Sequence, residues 1–191
     1  VRLFVAVHPS AEALAELDEA ERRLRRLPEA DELRWTPRTS RHLTLCFLGE
    51  VPEERLPKLR ARLAEAVEGH PVLTLHLQAG GAFGRRVLWA DVQGTVAEAR
   101  ELARDVSRAA RHTGIEVDTR PWRPHLTLAR ARERFGPHPD LHAMVSALDS
   151  LVGTPWTVER VHLMRSLLGR GPAQYESVES WALRRPEEAA E

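Results

Sequence analysis

Apolar positions along the chain switch between a period of two and a period near 3.6. Residues 2–7 form a short apolar run, and after His8-Pro9-Ser10 the residues Leu14, Leu17, Leu24 and Leu27 fall on one helical stripe. A turn is expected around Pro28 and Asp31; Trp35 to Pro37 then lead into HLTLCFLGEV (42–51), a strand closed by Gly49. Leu56, Leu59, Leu63 and Val67 mark a second helix. In 71–79, Val72, Thr74, His76 and Gln78 alternate with Leu73, Leu75 and Leu77, as in a half-buried strand. The glycine-rich 80–84 reads as a turn into a strand at 86–92, and Thr95-x-x-Glu98 as a capping box opening a helix to about His112. Pro121, Trp122 and Pro124 introduce a strand at 125–130, followed by a helix over about 140–151. Two closing strands, 156–168 and 174–184, flank a turn at 169–172, and the acidic 186–191 reads as a disordered tail.

The pattern contains an imperfect duplication. Strand, helix and a strand beginning HLTL occur twice, the tetrapeptides starting at His42 and His125, 125 − 42 = 83 residues apart. An α+β fold follows: residues 1–185 as a single domain of two related lobes, with antiparallel sheets flanked by helices and a pseudo-two-fold around a central cleft. No G-x-G-x-x-G follows a strand and no G-x-x-x-x-G-K-[ST] occurs, which removes the usual dinucleotide and nucleoside-triphosphate sites.

Composition narrows the partners. The chain has 28 basic and 28 acidic side chains in 191 residues, so it does not wrap long nucleic acid through overall charge, and an anionic ligand must be met locally. All but one of the cations are arginine, Lys58 being the exception; the guanidinium fork suits phosphate, although genome composition also produces such a bias. The lone Cys46 lies in an apolar run and reads as a core thiol in a reducing compartment. No apolar stretch nears the roughly 20 residues of a membrane helix, and the opening run is too short for a signal peptide, so a cytoplasmic protein is expected, with monomer as the oligomeric expectation.

On a strand, His42 and Thr44 share one face and Leu43 and Leu45 the other; His125, Thr127, Leu126 and Leu128 repeat the arrangement. One His-x-Thr triplet is weak evidence among nine histidines; two HLTL copies in a repeated context are not. Phosphodiester hydrolysis needs a base for water, an acid for the departing oxygen, and donors for the nonbridging oxygens, with attack and departure in line. Two histidines across a pseudo-two-fold supply the first pair, and two threonine hydroxyls hold the phosphate. Zinc ligation would want a third ligand and closer spacing such as H-E-x-x-H, which is absent, although distant histidines can still converge in a fold. His8, His70, His76, His112, His138, His142 and His162 lack a partner motif and read as surface or packing residues.

These paired H-x-[ST] motifs resemble the two-histidine (2H) phosphoesterase superfamily. Further points of likeness are the opening RLFVAV, Phe47 and Gly49 in HLTLCFLGEV, Gly81-Ala82-Phe83 before RVLW, RPHLTLAR, and the late run LMRSLL around Ser166 with a following tyrosine. Together they are similar to the RNA 2',3'-cyclic phosphodiesterase branch, formerly called 2'-5' RNA ligases, over about residues 2–175. The resemblance implies hydrolysis of a terminal RNA 2',3'-cyclic phosphate to a 2'-phosphate with no cofactor and no metal. It makes His42 the acid for the 3' oxygen and His125 the base for water, with Thr44 and Thr127 on the phosphate.

By the same resemblance Arg130 binds phosphate or the next nucleotide. Strict alternation places it on the face opposite His125, so it reaches the cleft only where the strand ends or bulges. Phe83 either stacks a base or packs its loop. Ser166 and Tyr175 match family positions, yet packing explains a strand tyrosine equally. Arg38, Arg41, Arg123 and Arg132 flank the motifs and are candidates to steer RNA ends. Alternative readings are action on 2'-5' linked oligonucleotides, as phosphodiesterase or ligase, and a non-catalytic module binding nucleotides or RNA ends.

Overall fold

The computed structural model describes residues 1–133, 136–167, 169–171 and 173–187 of the chain. Nine strands and four α-helices run in the order β1 (Arg2–Val7), α1 (Ala11–Leu24), β2 (Leu33–Trp35), β3 (Leu43–Glu50), α2 (Leu56–Val67), β4 (Leu73–Phe83), β5 (Val87–Gly94), α3 (Val96–His112), β6 (His125–Ala131), α4 (His142–Ala147), β7 (Trp156–Val158), β8 (Arg160–Leu167) and β9 (Gln174–Ala182) among the described residues. They form two antiparallel sheets, ordered β3-β1-β8-β9 and β2-β6-β5-β4-β7. One contiguous apolar core takes Leu3, Val5, Val7, Leu43 and Leu45 from the first sheet, and Leu75, Leu77, Leu88, Ala90, Leu126 and Leu128 from the second. It also takes Leu17, Leu24, Leu59, Leu63, Leu102 and Val106 from the helices.

Local chemistry explains most boundaries. Ser10 caps α1 by accepting the Ala13 N–H at 3.0 Å, and the Leu17/Leu24 stripe is buried. The expected capping box at Thr95 does not form. Its Oγ1 instead accepts the Thr74 N–H at 3.1 Å, tying the start of α3 to β4, so sheet attachment wins over the helix's own cap. The expected turn at 80–84 is largely strand: β4 runs through Gly80 and Gly81 to Phe83 because the glycines lie against Trp89. A Cβ at Gly81 would come within 2.5 Å of the Trp89 indole, and one at Gly80 within 2.4 Å of the Trp89 carbonyl oxygen.

Three further expectations change. Residues 33–35 form a short strand, β2, where a loop approach was expected, and it joins the sheet of the second motif. The strand expected over 156–168 is two strands in different sheets, β7 beside β4 and β8 beside β1. The helix expected over 140–151 is shorter, α4 followed by a 3-10 turn at Leu148–Ser150. The turn at 169–172 and the tail at 186–191 fall partly outside the described residues, at 172 and 188–191, as does residue 168 at the end of the strand expected over 156–168. No helix among the described residues is long and apolar enough to cross a membrane.

Candidate active site

The two HLTL segments lead into β3 and β6, His42 standing immediately before β3 and His125 opening β6, and the two strands carry the same irregularity. In β3, Cys46 pairs with Val5 and Thr44 with Ala6, so Leu45 is an extra residue. In β6, Ala129 pairs with Leu88 and Thr127 with Trp89, so Leu128 is extra. Each bulge lets two consecutive residues, Leu45–Cys46 and Leu128–Ala129, enter the core, and the strand resumes with its parity reversed. The residue after each bulge, Phe47 or Arg130, therefore returns to the face of the histidine and threonine. Both are exposed, Phe47 to 66%. Alternation alone puts Arg130 on the wrong face; the bulge corrects it.

The two motif strands meet. The Trp122 indole N–H, three residues before His125, donates to the Thr44 carbonyl at 2.9 Å, and β3 and β6 are in contact. One seam thus carries His42, Thr44, His125 and Thr127, all half-buried. Among the described residues, neither threonine hydroxyl nor either ring nitrogen of His42 has a hydrogen-bond partner in the protein.

The histidines have different surroundings. His42 stacks on Phe4 with centroids 4.7 Å apart, and the Tyr175 ring meets it edge-on at 5.3 Å. Burial, then the neighbouring His8 imidazole, lowers the His42 pKa to about 4. His125 Nδ1 lies 2.8 Å from the Arg123 carbonyl, which can only accept, so the neutral ring carries its proton on Nδ1 and leaves Nε2 as a lone pair. Burial lowers its pKa as well, opposed by the Arg123 carbonyl and Asp91 and reinforced by Arg130 and Arg123.

Phe83, at 40% exposure, sits edge-on to His125 at 5.0 Å and beside Trp89 at 5.2 Å; Arg123 lies over the Trp89 ring at 4.6 Å. Phe83 is therefore part of the site wall and not of a separate loop. Tyr175 is likewise a wall of the site, directly across from Ser166.

Other expectations shift with the geometry. Arg41 does not face the site: its side chain is 1% exposed and pairs with Asp18 at 2.9 Å and Glu21 at 3.3 Å on α1, anchoring the approach to His42. Arg38 pairs with the same Asp18. His8 and His162, read as unrelated to the motifs, lie on the site's face because His162 pairs across from Ala6; their rings are 4.4 Å apart. His162 also has Nδ1 3.0 Å from Ser177 Oγ, and burial followed by His8 lowers its pKa to about 4. Sequence alone gives Trp89 no site role and singles out Phe47 only as a point of likeness, although Phe47 stands three residues after Thr44 as Arg130 stands after Thr127. Cys46 is buried, as expected for a core thiol, and burial raises its pKa. Among the described residues no group of three or more His, Cys, Asp or Glu side chains is arranged to hold a metal ion. A separate open hollow of about 710 Å³, lined by Glu65, Arg160, Trp181 and Arg184 among others, contains none of the motif residues.

Comparison with known proteins places this arrangement among relatives. The family model described as the 2'-5' RNA ligase superfamily matches residues 8–170. A protein of Thermus thermophilus named RNA 2',3'-cyclic phosphodiesterase is 32% identical over 96% of this chain and 91% of its own length. A Geobacillus stearothermophilus protein of the same name is 32% identical over 78% of this chain, which spans only 47% of that protein. The crystal structure of Escherichia coli LigT complexed with 3'-AMP superposes with a TM-score of 0.76 at 26% identity, covering 95% of this chain and 97% of LigT.

Proposed function

The chain belongs to the 2'-5' RNA ligase superfamily, and from that membership together with the site we propose that it hydrolyses a terminal RNA 2',3'-cyclic phosphate to a 2'-phosphate. The names of its relatives support a phosphoesterase of this kind. The observation that carries the finer reading is the seam itself, where two His-x-Thr motifs are held against one another by the Trp122–Thr44 bond.

In this reading His125 is the base. Its Nδ1–H is committed to the Arg123 carbonyl, so Nε2 takes the proton of the attacking water. As the water oxygen bonds to phosphorus, the bond to the 3' oxygen breaks, and His42 gives that oxygen its proton. His42 is neutral in the ligand-free protein near pH 7; an anionic phosphate beside it favours the protonated ring and so loads the acid when substrate binds. Thr44 and Thr127 donate to the nonbridging oxygens, and Arg130 adds positive charge to the same face. Phe83 and Phe47 offer ring faces to a base, a contact that tolerates any sequence.

The test is digestion in EDTA of a short RNA ending in 2',3'-cyclic phosphate, with the product's phosphate position identified. Wild type should yield a 2'-phosphate, and His42→Ala and His125→Ala should each lose roughly 10²–10⁴-fold in kcat. Activity that needs added zinc would replace this reading with a metallohydrolase, and tight binding without turnover would replace it with a binding module.

A further inference from the structure

β2 contributes a residue to the site that no motif announces. Leu33 and Trp35 pack against the core, so Arg34 between them lies on the opposite face of the sheet, exposed. In the antiparallel ladder Arg34 is the direct partner of Arg130, and residues paired in this way share a face. The bulge at Leu128 has already put Arg130 on the face of His125 and Thr127. Two guanidinium groups therefore stand side by side at the edge of the site. Neither meets a carboxylate among the described residues, in contrast to Arg22, Arg38, Arg41, Arg60, Arg120 and Arg165, all of which do.

Like charges directly opposite one another in a ladder are destabilising. An anion between them removes that cost and gains two charge-assisted forks. The position of the pair identifies the anion. Thr127 pairs with Trp89 and Arg130 with Val87, two residues further along β5, which is about 7 Å of strand. One nucleotide of extended backbone covers that span.

We propose that Arg34 and Arg130 together bind the phosphodiester immediately 5' of the terminal nucleotide. This makes the protein selective for RNA ends over mononucleoside cyclic phosphates. The proposal rests on the phosphodiesterase reading above, because it takes the position of the cyclic phosphate from it.

The experiment measures kcat/KM in wild type and R34Q for a mononucleoside 2',3'-cyclic phosphate and for a dinucleotide with the same terminal nucleoside. A third substrate is the same dinucleotide with a neutral methylphosphonate linkage. Wild type should favour the charged dinucleotide over the mononucleotide by about tenfold or more, mainly through KM. R34Q should bring that ratio down toward one, and R34K should retain part of it as a point charge. The neutral linkage should remove the preference in wild type, a result that does not depend on how R34Q folds. Equal ratios in wild type and R34Q, or a preference that survives the neutral linkage, would overturn the pair. No turnover of any of the three substrates would instead overturn the phosphodiesterase reading, and the pair with it.

Discussion

His42 and His125 begin with the same ordinary pKa and are separated by what surrounds them. Both are lowered, chiefly by burial, and His42 is taken to about 4 with His8 adding to the effect. A lowered imidazole disfavours its cation, so at pH 7 both rings are neutral before substrate arrives, and the species with His42 protonated and His125 free becomes scarcer as pH rises. The ratio kcat/KM, which reports the free enzyme, should peak on the acid side of 6.5 and fall about tenfold per unit above it. Replacing His8 by Asn should move the limb that belongs to His42 upward. A profile that is flat from pH 6.5 to 8.5 would show that one of the two rings does not titrate as described. The same lowering gives the fold stability that is present above 6.5 and lost as pH falls through about 4, so the acid limb must be read with the folded fraction monitored. The identity of the two histidines and two threonines was legible in the sequence because HLTL occurs twice. Their inequality was not, since burial by Phe4 and Tyr175 comes from strands β1 and β9, distant in the chain.

The elements that hold these residues were legible where one period runs uninterrupted, as in β1, α1, α2 and α3. They were misread where an element departs from its period for a neighbour's sake. β4 is the case with consequences, because its glycines look like a turn yet make room for Trp89, whose ring packs at a tilt against Phe83 and His125. Gly81→Ala should therefore cost about 1–3 kcal/mol through overpacking, read by denaturant unfolding. It should also lower kcat by displacing Trp89, whereas Gly84→Ala, where a Cβ meets nothing within 4 Å, should leave kcat intact despite its positive φ. Loss of stability without loss of kcat in Gly81→Ala would mean that Trp89 is only core. The bulges belong to the same class of departure: period-two reading excludes Arg130 from the site, and only the ladder shows the extra residue at Leu128 that returns it.

At the scale of the molecule the duplication read from the sequence is real, but the two halves exchange strands. β2, from the first half, lies beside β6 of the second, and β8 and β9, from the end of the chain, complete the sheet of the first motif. Three residues are too few to announce a strand by pattern, which is why Arg34 could not be placed beside Arg130 before the topology was known. The exchange also determines how the molecule presents charge. With 28 cations against 28 anions, and many arginines engaged by acids elsewhere on the surface, attraction for RNA should be confined to the edge carrying Arg34, Arg130 and Arg123. Affinity should then respond to salt through about two phosphates. A single strand contributes a slope near −0.7 per neutralised phosphate, so log(kcat/KM) against log salt should run at about −1.4 for a dinucleotide ending in cyclic phosphate. A decanucleotide with the same end should give the same slope, because among the described residues no second pair of facing arginines continues from this edge. A slope that steepens steadily with length would instead reveal a groove that follows the RNA chain, built from arginines beyond this edge.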